Sequence, residues 1–102
     1  MGFVFIYITN PNKKEAERIS SHLVNERLIA CANIFPISSI YWWKGKIEKA
    51  KEYVLVAKTR EENFEKVKKE VERLHPYKIP CITKIAVEAN EKFEQWIKEE
   101  VK

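Results

Sequence analysis

The sequence predicts an α+β sandwich in the order βαββαβ, with one further helix at the C-terminus. Three observations carry this. Ala30 to Arg60 reads as one long β-hairpin. Two runs, FVFIYIT (3–9) and YVLVA (53–57), are apolar on both faces, which marks central strands. Three other segments place apolar residues at helical spacing.

The first strand is Phe3 to Thr9. Asn10-Pro11 then opens a helix of about residues 11–27, with Asn10 or Asn12 as cap and an Asn12/Glu15 capping box. Ala16, Ile19, Leu23 and Val24 form its expected buried stripe, and His22 falls off that stripe, toward solvent. The hairpin's first arm runs from Cys31 to Trp43. Pro36 inside it cannot donate to a ladder, so this arm is an edge or bulged. Gly45 supplies the turn, because only glycine adopts φ > 0 freely. The return arm runs from Lys46 to Thr59. Arms of about a dozen residues are roughly twice the usual strand length.

Thr59 and Glu62 fit a capping box for a second helix ending at Leu74, with Phe64, Val67, Val71 and Leu74 on one face. Pro76 ends it. Cys81 to Val87 alternates better than the central strands, as an edge strand does. Asn90 then caps a third helix that buries Phe93, Trp96, Ile97 and Val101. Two central and two edge strands in this order give a ferredoxin-like sheet, with the first and third strands inside and both long helices on one face. The other face is apolar and has little chain left to cover it. A second subunit is therefore expected there, and the projecting hairpin, with Tyr41, Trp42 and Trp43, is the expected oligomerisation arm.

The 102 residues make one domain, 1–102. The formal net charge of +4 is spread among interspersed Lys and Glu, and no basic run lacks a neighbouring Glu, so no nucleic-acid partner is expected. That interspersion, with Asp absent, resembles the ion-pair-laced surfaces of thermostable proteins. No run approaches the ~20 apolar residues of a membrane span, and the N-terminus lacks the basic start and small-residue cleavage site of a secretion signal. Two cysteines without CxxC spacing fit a cytoplasmic protein with reduced thiols.

Four blocks then carry a resemblance over essentially the whole chain. They are Glu26-Arg27-Leu28-Ile29-Ala30-Cys31-Ala32-Asn33, Tyr41-Trp42-Trp43-x-Gly45-x-Ile47-Glu48, Lys58-Thr59-Arg60, and Leu74-His75-Pro76-Tyr77-x-x-Pro80. Together they resemble the CutA divalent-cation-tolerance family. The resemblance implies a ferredoxin-like fold similar to the PII signalling proteins, a homotrimer, and a role in tolerance of divalent metals, copper in particular, with no settled enzymatic activity. In some members a Cys on the first strand and a His pair before Pro-Tyr are assigned to copper. The matching positions here hold Ile8, Leu74 and His75, so only His75 carries over.

The candidate chemistry is sparse. His75 is either an imidazole ligand for Cu²⁺ or Zn²⁺, or a helix-end residue that satisfies the last carbonyls. Cys31 and Cys81 are either soft thiolate ligands or small core residues, and Cys31 is the better partner for copper. Tyr41, Trp42, Trp43 and Tyr77 belong to the expected trimer interface, and stacking of the Tyr-Trp-Trp run on a ligand is the lesser alternative. Lys58 and Arg60, beside Thr59, are candidates for a small-anion cleft between subunits. No glycine-rich phosphate loop, catalytic triad or zinc-finger spacing occurs, so neither an enzyme nor an organic cofactor is expected. The readings are thus a trimeric protein of metal response, possessing a copper or other divalent-metal site, and a PII-like trimeric sensor or scaffold that binds a small anion or a partner protein.

Overall fold

The computed structural model describes residues 2–102. The strands are β1 (Phe3–Asn10), β2 (Cys31–Trp43), β3 (Lys46–Arg60) and β4 (Ile82–Val87). The helices are α1 (Lys13–Asn25), α2 (Phe64–Leu74) and α3 (Glu91–Glu100). The sheet is antiparallel in the order β2-β3-β1-β4. The two all-apolar strands are central and the Pro36 strand is an edge, as their patterns require.

Side chains at alternate positions of the central strands face α1 and α2. Val4, Ile6 and Ile8 of β1 and Leu55 and Ala57 of β3 pack there with Ile19, Leu23, Val67 and Val71. All nine are fully buried.

Asn12 caps α1 by accepting from the Glu15 amide at 2.8 Å. At the other end Leu28 N–H donates to Leu23 O and Arg27 N–H to Val24 O, with Arg27 left-handed at φ 59. That is a Schellman ending built on arginine instead of glycine. The Arg27 guanidinium in turn donates to Glu100, which ties the end of α1 to the C-terminus.

β2 and β3 pair along the full length of β2, from Cys31↔Lys58 to Trp43↔Lys46. β1 reaches β3 only as far as Asn10↔Tyr53. Beyond that point, from Ile37↔Glu52 outward, β2 and β3 form a ribbon that no third strand joins among the described residues. The ribbon stretches the chain to 44 Å along its longest axis, against 24 and 21 Å across. Lys44 (φ 50) and Gly45 (φ 78) close it as a two-residue turn whose hand matches the strand twist. Nothing lies within 4 Å of a Cβ added at Gly45. Gly45→Ala should therefore cost only backbone strain, about 1 kcal/mol. A guanidinium midpoint lowered by that amount, with assembly unchanged, is the expected result.

Several expectations need correction. Val24 is 43% exposed, and Ser20 takes the fourth buried place on α1. His22 is not free in solvent: its ring is half-buried between α1 and α2, 3.8 Å from the Glu70 carboxylate. Thr59 does not cap α2. Residues Glu61–Asn63 form a 3₁₀ turn, and the Thr59 hydroxyl instead donates to Leu28 O at 2.7 Å. Asn63, 2% exposed, donates to Leu28 O, Thr59 Oγ1 and Lys102 O, all at 3.3 Å. Trp96 is 42% exposed and stacks on Phe93. Asn90 begins α3 without a side-chain cap bond.

The second sheet face is also not bare from end to end. α3 covers one end of it, with Phe93 edge-on to Phe3 at 6.2 Å between ring centres. The other end, around Tyr7 and Thr9, stays open and continues onto the ribbon.

Candidate functional site

At that open end three residues form a chain of contacts. α2 stops at His75, which is extended (φ −72, ψ 138) because Pro76 follows. This conformation turns the imidazole under the end of β1. The side chain is buried, and Nε2 lies 2.8 Å from Thr9 O. A carbonyl oxygen only accepts, so Nε2 carries the proton. Nδ1 is then the acceptor, and Tyr77 N–H donates to it at 3.1 Å. Both ring nitrogens are satisfied in one neutral tautomer. The Tyr77 ring packs 4.8 Å from the imidazole, and its hydroxyl donates to the Glu52 carboxylate. Burial, and then the Glu52 hydrogen bond and charge, push the Tyr77 phenol well above its ordinary value. Glu52 itself is only 7% exposed, at the root of the ribbon.

This chain forms one wall of a groove of about 910 Å³, lined by Tyr7, Ile37, Tyr41, Trp43, Glu52 and Tyr77 among others. Strand alternation sends Tyr41 and Trp43 to the groove side of the ribbon, with Glu52. Ile40, Trp42 and Ile47 go to the reverse side, where they are 69, 73 and 59% exposed. The expected interface residues Tyr41, Trp43 and Tyr77 are thus brought together, and Trp42, whose side chain alternation sends to the reverse side, also borders the groove.

Lys58 and Arg60 lie two positions apart on the α3-covered face, and alternation turns Thr59 away from them. The Lys58 ammonium contacts Asn33 Oδ1 and sits 5.4 Å over Phe5 and 5.9 Å over Phe93. Arg60 donates to Lys98 O and Val101 O. Both cations contact neutral groups of the chain and help secure α3, while Arg60 Nε is buried without a hydrogen-bond partner among the described residues.

Residues 4–100 match the family of CutA1 divalent ion tolerance proteins. The chain belongs to this family. It is 51% identical over 98 residues to the divalent-cation tolerance protein CutA of Archaeoglobus fulgidus, covering 95% of this chain and 96% of that one. It is 43% identical over 100 residues to the CutA protein of Pyrococcus horikoshii, covering 97% and 98%. Its fold is similar to the solved structure of the Archaeoglobus fulgidus periplasmic divalent cation tolerance protein CutA, with TM-score 0.95, 48% identity and coverage of 98% and 99%. The crystal structure of CutA1 from Oryza sativa is similar at TM-score 0.96 and 33% identity, covering 100% and 95%. The sheet order and long hairpin place the chain in the ferredoxin-like α+β class.

The family's name raises the question of a metal site, and His75 does not fit one. A ligating imidazole needs a free nitrogen lone pair, and the one acceptor nitrogen is taken by Tyr77 N–H. Cys31 pairs with Lys58, which pairs with Phe5. That row is four residues, about 13 Å, along β1 from Thr9, and Cys31 lies two strands away. Burial holds its thiol above the ordinary value against the pull of Lys58, which disfavours the thiolate that metals need. Among the described residues no three His, Cys, Asp or Glu side chains gather as a metal-binding group. One chain therefore does not assemble His75 and Cys31 into a metal centre. Glu52 completes the chain of contacts, and no motif in the sequence marks it. Its only local signal is a carboxylate placed in register with Val54 and Val56 of an apolar strand.

The satisfied imidazole has a consequence for acid stability. Burial depresses the His75 pKa, opposed by the Thr9 carbonyl bond and the Glu15 and Glu52 charges, while Arg18 adds to the depression. The unfolded chain takes up a proton near ~6.5 while the folded imidazole resists it. Stability from this residue should be complete above that pH, fall as pH drops, and level off below the depressed folded value. Guanidinium midpoints between neutral and mildly acidic pH, on wild type and His75→Gln, should show a steeper acid loss in wild type. Parallel curves would sever this link.

Proposed function

We propose that the protein acts as a homotrimer in tolerance of divalent metal ions, copper foremost, and that the β2–β3 ribbon builds the trimer. The observation that supports this is the ribbon itself. A two-stranded hairpin is marginal alone in water. This one is apolar on both sides, with Tyr41 and Trp43 toward the groove and Ile40, Trp42 and Ile47 on the reverse. Neighbouring subunits that cover both sides remove that exposure, with Tyr41, Trp42, Trp43 and Tyr77 in the contact. Free thiols at Cys31 and Cys81 suit a reducing compartment such as the cytoplasm, where we place the protein.

His75 and Cys31 enter this function as structural residues. Copper calorimetry on the assembled protein tests that directly. Wild type and His75→Ala should take up copper alike. A loss of uptake on His75→Ala would return the imidazole to the metal and overturn the structural role.

A second reading, a trimeric sensor or scaffold with a ligand in clefts between subunits, is favoured by one observation. The groove beside Glu52 continues onto the ribbon, and a neighbour that covers the ribbon would roof it into a cleft.

A further inference from the structure

We propose that the Glu52 groove binds a compact organic cation, a protonated amine or quaternary ammonium. The proposal rests on the second reading, since it names the class of ligand that the cleft takes.

Five aromatic residues, Tyr7, Tyr41, Trp42, Trp43 and Tyr77, line the groove. Their π faces carry negative potential and attract cations over neutral groups of the same size. Trp43 already holds a cation in this way: the Lys44 ammonium of the same chain lies 5.8 Å from its ring centre. Glu52 is the one acidic side chain among the groove's lining residues, and it is more than nine-tenths buried. The chain supplies one hydrogen bond to it, from the Tyr77 hydroxyl to Oε2, and no ion pair among the described residues neutralises it. An incoming cation therefore meets a carboxylate that no cation among the described residues pairs with, and a charge-assisted contact is stronger than a neutral one. Lys78, also at the groove, is exposed, so solvent screens its charge.

The site is also held in place before a ligand arrives. His75 Nδ1 accepts from Tyr77 N–H, and Nε2 anchors the ring to Thr9 O. The phenol is thereby fixed on Glu52. His75 is a positioning residue here and touches no ligand.

The lining also discriminates. Among the described residues it lacks the cluster of three ligands that a dehydrated metal ion requires. An aromatic wall with one carboxylate instead matches a hydrophobic cation.

The test is choline titrated into the assembled protein at matched ionic strength, read by calorimetry and by tryptophan fluorescence. The neutral carbon analogue of choline is the control. Wild type should bind choline and ignore the analogue. Glu52→Gln should weaken binding about tenfold or more, the loss of roughly one charge-assisted contact. Trp43→Leu, which keeps an apolar side chain and removes the π face, should weaken it independently. Sedimentation of each variant reads assembly separately, so a failed trimer and a failed ligand site are told apart. Equal binding of the analogue, unchanged affinity in both variants, or silence of wild type toward choline and simple alkylammonium ions would each overturn the proposal.

Discussion

Trp43→Ala should divide the assembly at concentrations where the wild type stays whole. Trp43 lies on the last cross-strand pair of the ribbon, opposite Lys46, and is 37% exposed in the single chain. Among the described residues β1 pairs with β3 only as far as Tyr53, well short of that pair. If a neighbouring subunit completes the burial, truncation removes a large aromatic from the contact, at a cost of ~3–5 kcal/mol. The melting temperature should drop and become more sensitive to protein concentration. Wild-type melting and wild-type mass in the variant would place Trp43 outside the contact and leave it to the groove alone.

A second large effect should arise with assembly intact. Leu55 is fully buried at the middle of β3, between β1 and β2 and beneath α1 and α2. Leu55→Ala should cost ~2–5 kcal/mol through lost burial and a residual cavity. The guanidinium midpoint should fall accordingly while sedimentation without denaturant stays unchanged. A loss well under 1 kcal/mol would mean that the core collapses around the gap. The two variants separate the forces that hold the chain from those that join chains.

Local pattern carried most of the fold. The apolar runs of β1 and β3, Pro36 on an edge and Gly45 at the turn are each set by sequence neighbours, and each stands where its chemistry requires. Boundaries moved where tertiary bonds overrode local ones. Thr59 has a capping partner three residues on, but as a central-strand residue it finds Leu28 O closer. Trp96 and Val24 fit helical stripes by spacing, yet α3 packs on only part of the second sheet face and α1 closes its fourth place with Ser20.

The candidate site was less legible. His75 and Tyr77 are two residues apart, and the local motif marks both. Their partners, Thr9 and Glu52, are 66 and 25 residues away from the groups they bind. Nothing in local spacing encodes that His75 uses both nitrogens, so it reads equally as a ligand until β1 and β3 are in place. Lys58 and Arg60 pose the same problem. A basic pair beside a helix start suggests an anion, and only the fold shows the cations occupied by Asn33 and the carbonyls of the C-terminal segment.

Surface charge makes a smaller contribution. Arg18–Glu15, Lys68–Glu65 and Arg73–Glu70 are helical i,i+3 pairs, and in each the partner cation holds the carboxylate below its ordinary value. They are open to solvent, so salt screens them, and they add little singly.

On the proposed function, the ribbon joins three chains. Sedimentation equilibrium at micromolar concentration should then show one species with the mass of three chains, which dissociates on Trp43→Ala. A stable monomer that keeps its folded ribbon and its exposed Ile40, Trp42 and Ile47 in solution would contradict it.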